Sequence, residues 1–173
     1  MTYFINGGFA DPVNGEERVR VLSPKVRSYD LKPEMNVAGV TREVLKYFNK
    51  NYNFIAANFA NPDMVGHTGN LAATIKAIEA VDVCLGKIAR VVLKGKGCLI
   101  ITADHGNAEK KIDLKTKELS AEHTTNPVPF ILVDNSMVNA KLKTGSLANI
   151  APTIYEVIGR KRLPQKFFKS LIK

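Results

Sequence analysis

Tryptophan is absent, cysteine occurs only twice and there is no acidic surplus in this chain of 173 residues. Cys84 and Cys98 form no CxxC and fall in a helix-like and a strand-like stretch. They read as small buried hydrophobes, which argues against a disulfide-stapled secreted module. No apolar run approaches the roughly 20 residues that span a bilayer. The start, MTYFINGG, lacks a basic stretch followed by an apolar one. A cytoplasmic protein with no membrane contact is therefore expected. Apolar residues make up 45% and charged residues 24%, a balance that excludes disorder and collagen-like order. The length suits a single domain over 1–173, long enough to bury a core.

The net charge of +9 is unevenly placed. Residues 1–85 carry nine basic and nine acidic side chains, whereas residues 86–173 carry sixteen and seven. A basic half can serve nucleic acid, a membrane surface or anionic substrates. Here the lysines (Lys94, Lys96, Lys110, Lys111, Lys115, Lys117) are scattered and not interleaved with aromatics. A solubilising face is the expectation, and nucleic acid is not an expected partner.

Hydrophobic periodicity orders the chain. Residues 2–5 read as a short strand before the Asn6-Gly7-Gly8 turn, and residues 9–35, with Pro12, Pro24 and Pro33, as an irregular excursion. A helix is expected over 37–49 and a buried strand over 54–59. The strongest helix signal covers 70–94, where Leu71, Ile75, Ile78, Val81, Leu85, Ile88 and Val92 recur at steps of three and four before Gly95. Strands are expected over 98–103 and 128–133. A last helix is expected over 149–158, capped by Asn149, with Pro152 in its first turn and Gly159 after its end. Strands alternating with helices, each strand continuously apolar, imply an α/β fold with a mostly parallel sheet and helices on both faces. Ligands of such sheets gather at strand ends.

All three histidines fall at such ends. His67 lies in Asn61-Pro62-Asp63-Met64-Val65-Gly66-His67-Thr68-Gly69, His105 in Thr102-Ala103-Asp104-His105-Gly106-Asn107, and His123 before the strand at 128–133. Asp63 precedes His67 by four residues and Asp104 directly precedes His105. Taken singly, an aspartate before a glycine turn is more often a cap than a ligand. The conjunction favours metal. Mixed Asp and His donors suit Mn²⁺ or Zn²⁺ better than Mg²⁺, and two Asp–His pairs with a third histidine are too many for one open catalytic ion. Two ions that clamp a phosphoryl group are the natural reading. Gly66, Gly69 and Gly106 allow close backbone approach. No HExxH, P-loop or GxGxxG competes.

These stretches, together with His123-Thr124-Thr125-Asn126-Pro127-Val128-Pro129, Phe4-Ile5-Asn6-Gly7-Gly8, Ser23-Pro24-Lys25-Val26, Tyr29-Asp30-Leu31-Lys32-Pro33-Glu34-Met35 and Leu147-Ala148-Asn149-Ile150-Ala151-Pro152-Thr153, strongly resemble the cofactor-independent (2,3-bisphosphoglycerate-independent) phosphoglycerate mutases. The resemblance runs over nearly the whole chain. It implies the C-terminal portion of an alkaline-phosphatase-like domain, with the N-terminal portion and the transferase domain absent. It also implies interconversion of 3-phosphoglycerate and 2-phosphoglycerate in glycolysis through a phosphoserine intermediate. Two divalent ions are implied, Mn²⁺ first with Zn²⁺, Co²⁺ and Mg²⁺ as alternatives. Asp63, His67 and His123 would hold one ion, and Asp104 and His105 would hold the other.

None of Ser23, Ser28, Ser120, Ser136, Ser146 and Ser170 matches the family's nucleophile. No catalytic residue is therefore assigned in this chain, which is expected to be inactive alone and to suit a partner chain carrying the N-terminal half. Two alternatives accompany this reading: a stand-alone metallophosphatase using Thr68, and a non-catalytic metal-binding subunit of a split enzyme.

Overall fold

The computed structural model describes residues 5–50, 52–111, 119–159 and 168–173. The expected strand over 2–5, and Lys115, Lys117 and Lys166, lie wholly or almost wholly outside these. Among the described residues, six α-helices and β-strands follow in order: α1 (Val37–Phe48), α2 (Asn61–Gly66), α3 (Leu71–Lys94), β1 (Leu99–Thr102), β2 (Phe130–Val133) and α4 (Ile150–Val157). The chain divides into two compact units, residues 1–88 with 107–123, and residues 89–106 with 124–173.

In the first unit, the stretch over 9–35 is irregular as expected, apart from a 3-10 turn at Tyr29–Leu31. The Glu17 carboxylate accepts from the hydroxyls of both Tyr47 and Tyr52. That carboxylate pushes the Tyr47 phenol up to about 12. α1 begins where the Asn36 side chain accepts from Gly39 N–H at 3.2 Å and donates to Leu22 C=O at 2.8 Å. α2 opens with Pro62 in its first turn, where a missing N–H costs nothing. α3 is started by Asn70, whose Oδ1 accepts from Ala73 N–H at 3.1 Å.

The core of this unit has two patches. Met35, Val65, Ala73 and Ala77 form one with Tyr29. Val37, Val81 and Cys84 form the other with Phe59, Ala80 and Leu85. The face that α3 buries therefore differs at its start from the expected one. Ala73, Thr74 and Ala77 are buried there, whereas Leu71, Ile75 and Ile78 are exposed. The centres of those two sets lie about 120° apart around the helix, so the buried face is rotated from the expected one. Alanines let α3 close onto Val65, and larger side chains in their place would hold it off. Further along, Val81, Ile88 and Val92 are buried as expected.

The apolar run at 54–59 makes no ladder among the described residues. A strand needs a partner for its N–H and C=O groups. This segment finds none there, so Phe54 is exposed while Phe59 packs on the second core patch.

In the second unit, α3 ends at Lys94, just before Gly95, as expected. Lys96 takes the left-handed turn at φ 56°. Gly97 N–H bonds back to Val92 C=O at 2.9 Å, and Lys96 N–H to Leu93 C=O at 3.1 Å, the paired bonds of a Schellman stop. The class is α/β as expected, but the strand pairing is not parallel. β1 and β2 run antiparallel, Leu99 opposite Val133 and Thr102 opposite Phe130. A parallel pair needs a crossover, usually helical. The described residues between β1 and β2 hold no helix.

Cys84 and Cys98 are free thiols, Cys84 buried and Cys98 partly so. Burial, with the Asp134 carboxylate beside it, pushes the Cys98 thiol up to about 11. At α4 the cap expected from Asn149 falls to Ser146 one turn earlier. The Asn149 side chain accepts from Ser146 N–H at 2.7 Å and donates to Lys169 C=O at 2.8 Å, so it cannot also cap α4. Gly159 follows the helix with φ 74°, as expected. No helix among the described residues is long and apolar enough to cross a membrane.

Candidate metal centre

α2 brings the first two donors together. Asp63 lies in its first turn. His67 closes it, its N–H bonding to Asp63 C=O at 2.9 Å. Residues four apart on such a turn share a face. The His67 Nε2 atom accordingly lies 3.1 Å from Asp63 Oδ1. The third donor arrives from a distant segment: His123 Nε2 lies 3.2 Å from the same Oδ1 and 3.0 Å from His67 Nε2. The two rings tilt at 54° with centroids 4.9 Å apart. All three side chains are partly exposed, so the cluster is open to solvent.

The donor spacing and chemistry fit a divalent ion. Ligand bonds of roughly 2.0–2.2 Å place donors about 3.0 Å apart at a right angle and about 3.4 Å apart at a tetrahedral one. The three observed separations, 3.0, 3.1 and 3.2 Å, fall within that window. Two imidazoles and one carboxylate form a borderline set suited to Mn²⁺, Co²⁺ or Zn²⁺.

Asp104 and His105 belong to the second unit. His105 Nε2 and Asp104 Oδ1 are 3.6 Å apart, beyond hydrogen-bond range, and the Asp104 side chain is 85% exposed. Gly106, next along, bridges to Thr124, whose N–H bonds Gly106 C=O at 2.7 Å.

Around the first cluster the structure adds residues that sequence reading missed. Asn107 Nδ2 lies 3.5 Å from Asp63 Oδ1 and 3.5 Å from Ala121 C=O. Lys111, expected on a solubilising face, is only 4% exposed. Its Nζ donates to Gly66 C=O at 2.9 Å and to Asn107 Oδ1. Burial lowers its pKa, with the Glu109 and Asp63 carboxylates opposing that shift. Neither residue carries a signal in a lysine-rich loop, because burial of one lysine among many depends on tertiary contacts. Gly66 does bear out the expected close approach. A Cβ there would overlap Asn107 Oδ1 and come within 3.1 Å of Lys111 Nζ.

Thr68 is occupied as a turn residue, its Oγ1 donating to Val65 C=O at 2.6 Å and accepting from Asn70 N–H at 3.3 Å.

Known proteins match this chain closely. A model of the metalloenzyme superfamily matches residues 1–162. The chain is 52% identical over 173 residues to the 2,3-bisphosphoglycerate-independent phosphoglycerate mutase of Symbiobacterium thermophilum, covering 99% of this chain and 34% of that protein. It is 49% identical over 172 residues to the same-named enzyme of Clostridium acetobutylicum, again covering 99% and 34%. Among solved structures, a phosphoglycerate mutase of Leishmania mexicana studied at low cobalt concentration superposes with a TM-score of 0.90 at 32% identity. That match covers 99% of this chain and 34% of the other. The chain thus spans about a third of the length of the relatives it matches. The alkaline-phosphatase-like α/β fold is present here in part. With its match running from residue 1 to 162, the chain belongs to the metalloenzyme superfamily.

Proposed function

We propose that this chain is the ligand-bearing part of a 2,3-bisphosphoglycerate-independent phosphoglycerate mutase, a cytoplasmic glycolytic enzyme that interconverts 3-phosphoglycerate and 2-phosphoglycerate. The observation that carries this reading is the convergence of Asp63, His67 and His123 within 3.2 Å of one another, in a chain 52% identical to a relative of that name. These three residues would hold one divalent ion, Mn²⁺ by preference. Asp104 and His105 would contribute to a second. Bound ions would neutralise charge on a transferring phosphoryl group.

The protein's own side chains have separate tasks. Asp63 supplies the negative charge that makes the cluster attractive to a cation. His67 and His123 present ring nitrogens, Nε2 facing Nε2 at 3.0 Å, as the other two donors. Four of the six serines have hydrogen-bond partners elsewhere. Ser28 donates to Asp30 and Ser136 to Asp134. Ser146 belongs to a capping box, and the Ser170 hydroxyl accepts from Ile172 N–H at 3.1 Å. On the family reading, the phosphoryl-accepting serine and the residues that grip the glycerate would lie in the part of a full-length relative that this chain does not cover.

Conversion of 3-phosphoglycerate is expected to be absent with this chain alone. It is expected to appear on mixing with a polypeptide carrying that remainder, and to be lost again with His123→Ala. Turnover by the isolated chain, or Mn²⁺ binding by calorimetry that is identical in His123→Ala, would overturn the proposal.

A further inference from the structure

We infer that Lys111 and Asn107 are positioning residues for the Asp63–His67–His123 cluster, Lys111 acting through the Asn107 amide. The inference rests on the metal reading above and extends it to two residues outside the donor set.

A side-chain amide has one accepting end and one donating end, and its partners decide which way it faces. Lys111 can only donate. Its ammonium is fixed at the Asn107 oxygen, so the amide nitrogen must face the other way. On that side stand two acceptors, Asp63 Oδ1 and Ala121 C=O, each at 3.5 Å. These distances are long, so the amide steers both groups more than it clamps them. Asp63 Oδ1 lies within 3.2 Å of both imidazole nitrogens. Ala121 lies two residues before His123. One amide therefore spans the two segments that supply the cluster.

Lys111 also fixes the first of those segments directly. Gly66 is the last residue of α2, and its C=O, which accepts from Gly69 N–H at 3.1 Å, has a second lone pair to offer. The ammonium caps it at 2.9 Å, one residue before His67. A buried ammonium is costly and is retained where its donors are used. Gly66 is the corresponding fit on the other side, because any side chain there would displace the Asn107 oxygen. Carboxylate and imidazole ligands are generally oriented by such outer partners, whose loss typically weakens ion binding by about 10–100-fold.

The test is Mn²⁺ calorimetry on the full chain for Lys111→Met, Asn107→Ala and the double variant, with His123→Ala as reference. Side-chain amide spectra of the metal-free proteins accompany it. Lys111→Met keeps an unbranched side chain of similar length in the buried site. Asn107→Ala leaves Lys111 bonded to Gly66, so it remains informative should the first variant fold poorly. The expected result is a loss of about tenfold or more for each single variant and no multiplied loss in the double variant. The Asn107 amide resonance is expected to shift in metal-free Lys111→Met.

An unshifted resonance with unchanged affinity, while His123→Ala still abolishes binding, overturns the positioning role and leaves the metal reading intact. Losses that multiply in the double variant overturn action through Asn107. Failure of the unaltered chain to bind Mn²⁺ overturns the metal reading and the role with it.

Discussion

Asp63 with His67 and Asp104 with His105 are the same two residue types at different spacings, and the structure treats them differently. Four residues apart on a helical turn, Asp63 and His67 aim their donor atoms to within 3.1 Å, and His123 joins them. Side by side on a bend, Asp104 and His105 hold theirs 3.6 Å apart, with the carboxylate almost fully in solvent. Closeness along the chain is no measure of convergence. A helical turn stacks residues i and i+4, whereas neighbours on open backbone diverge. Asp63, His67 and His123 bring their donor atoms together, whereas Asp104 and His105 do not bring theirs into contact.

The strongest way to break that contrast is to remove the long-range donor. His123→Ala is expected to weaken Mn²⁺ binding at least 100-fold, since two donors remain of three. Calorimetry checks this, and an unchanged isotherm would put the two clusters on an equal footing.

Next in size is the linkage to folding. Mn²⁺ at a hundred times its dissociation constant should stabilise the folded chain by about 2.7 kcal/mol, read as a rise in melting temperature. The rise should vanish with His123→Ala and survive Asp104→Ala. Gly66→Ala should destabilise the chain by about 1–3 kcal/mol, because the added methyl group meets Asn107 and Lys111. A thermal melt without metal isolates that effect.

The smallest expected change is that of Asp104→Ala on Mn²⁺ affinity, less than about threefold for a carboxylate so exposed. A larger loss would show that the second cluster is also assembled within this chain.

Much of this was legible in the residues. α1, α3 and α4 follow from apolar spacing, and β1 and β2 from short apolar runs. The i,i+4 pair of Asp63 and His67 follows from their number and setting. What escaped has a common cause. The ladder partner of β1, the exposed state of Phe54, and the burial of Ala73 and Ala77 in place of Leu71 and Ile75 are all decided by what packs opposite, which no local pattern encodes. Lys111 is the sharpest case. Among so many lysines, its burial is set by two acceptors, Gly66 and Asn107, that only the folded chain brings to it.

His67 and His123 are separated by 56 positions, a loop that an unfolded chain closes only rarely. Denatured molecules can offer a cation only short local pairs such as Asp63–His67 or Asp104–His105. On the proposed metal reading, uptake of the ion would therefore track native molecules, and an ion-sensitive dye competing for it would follow the folded fraction of the protein.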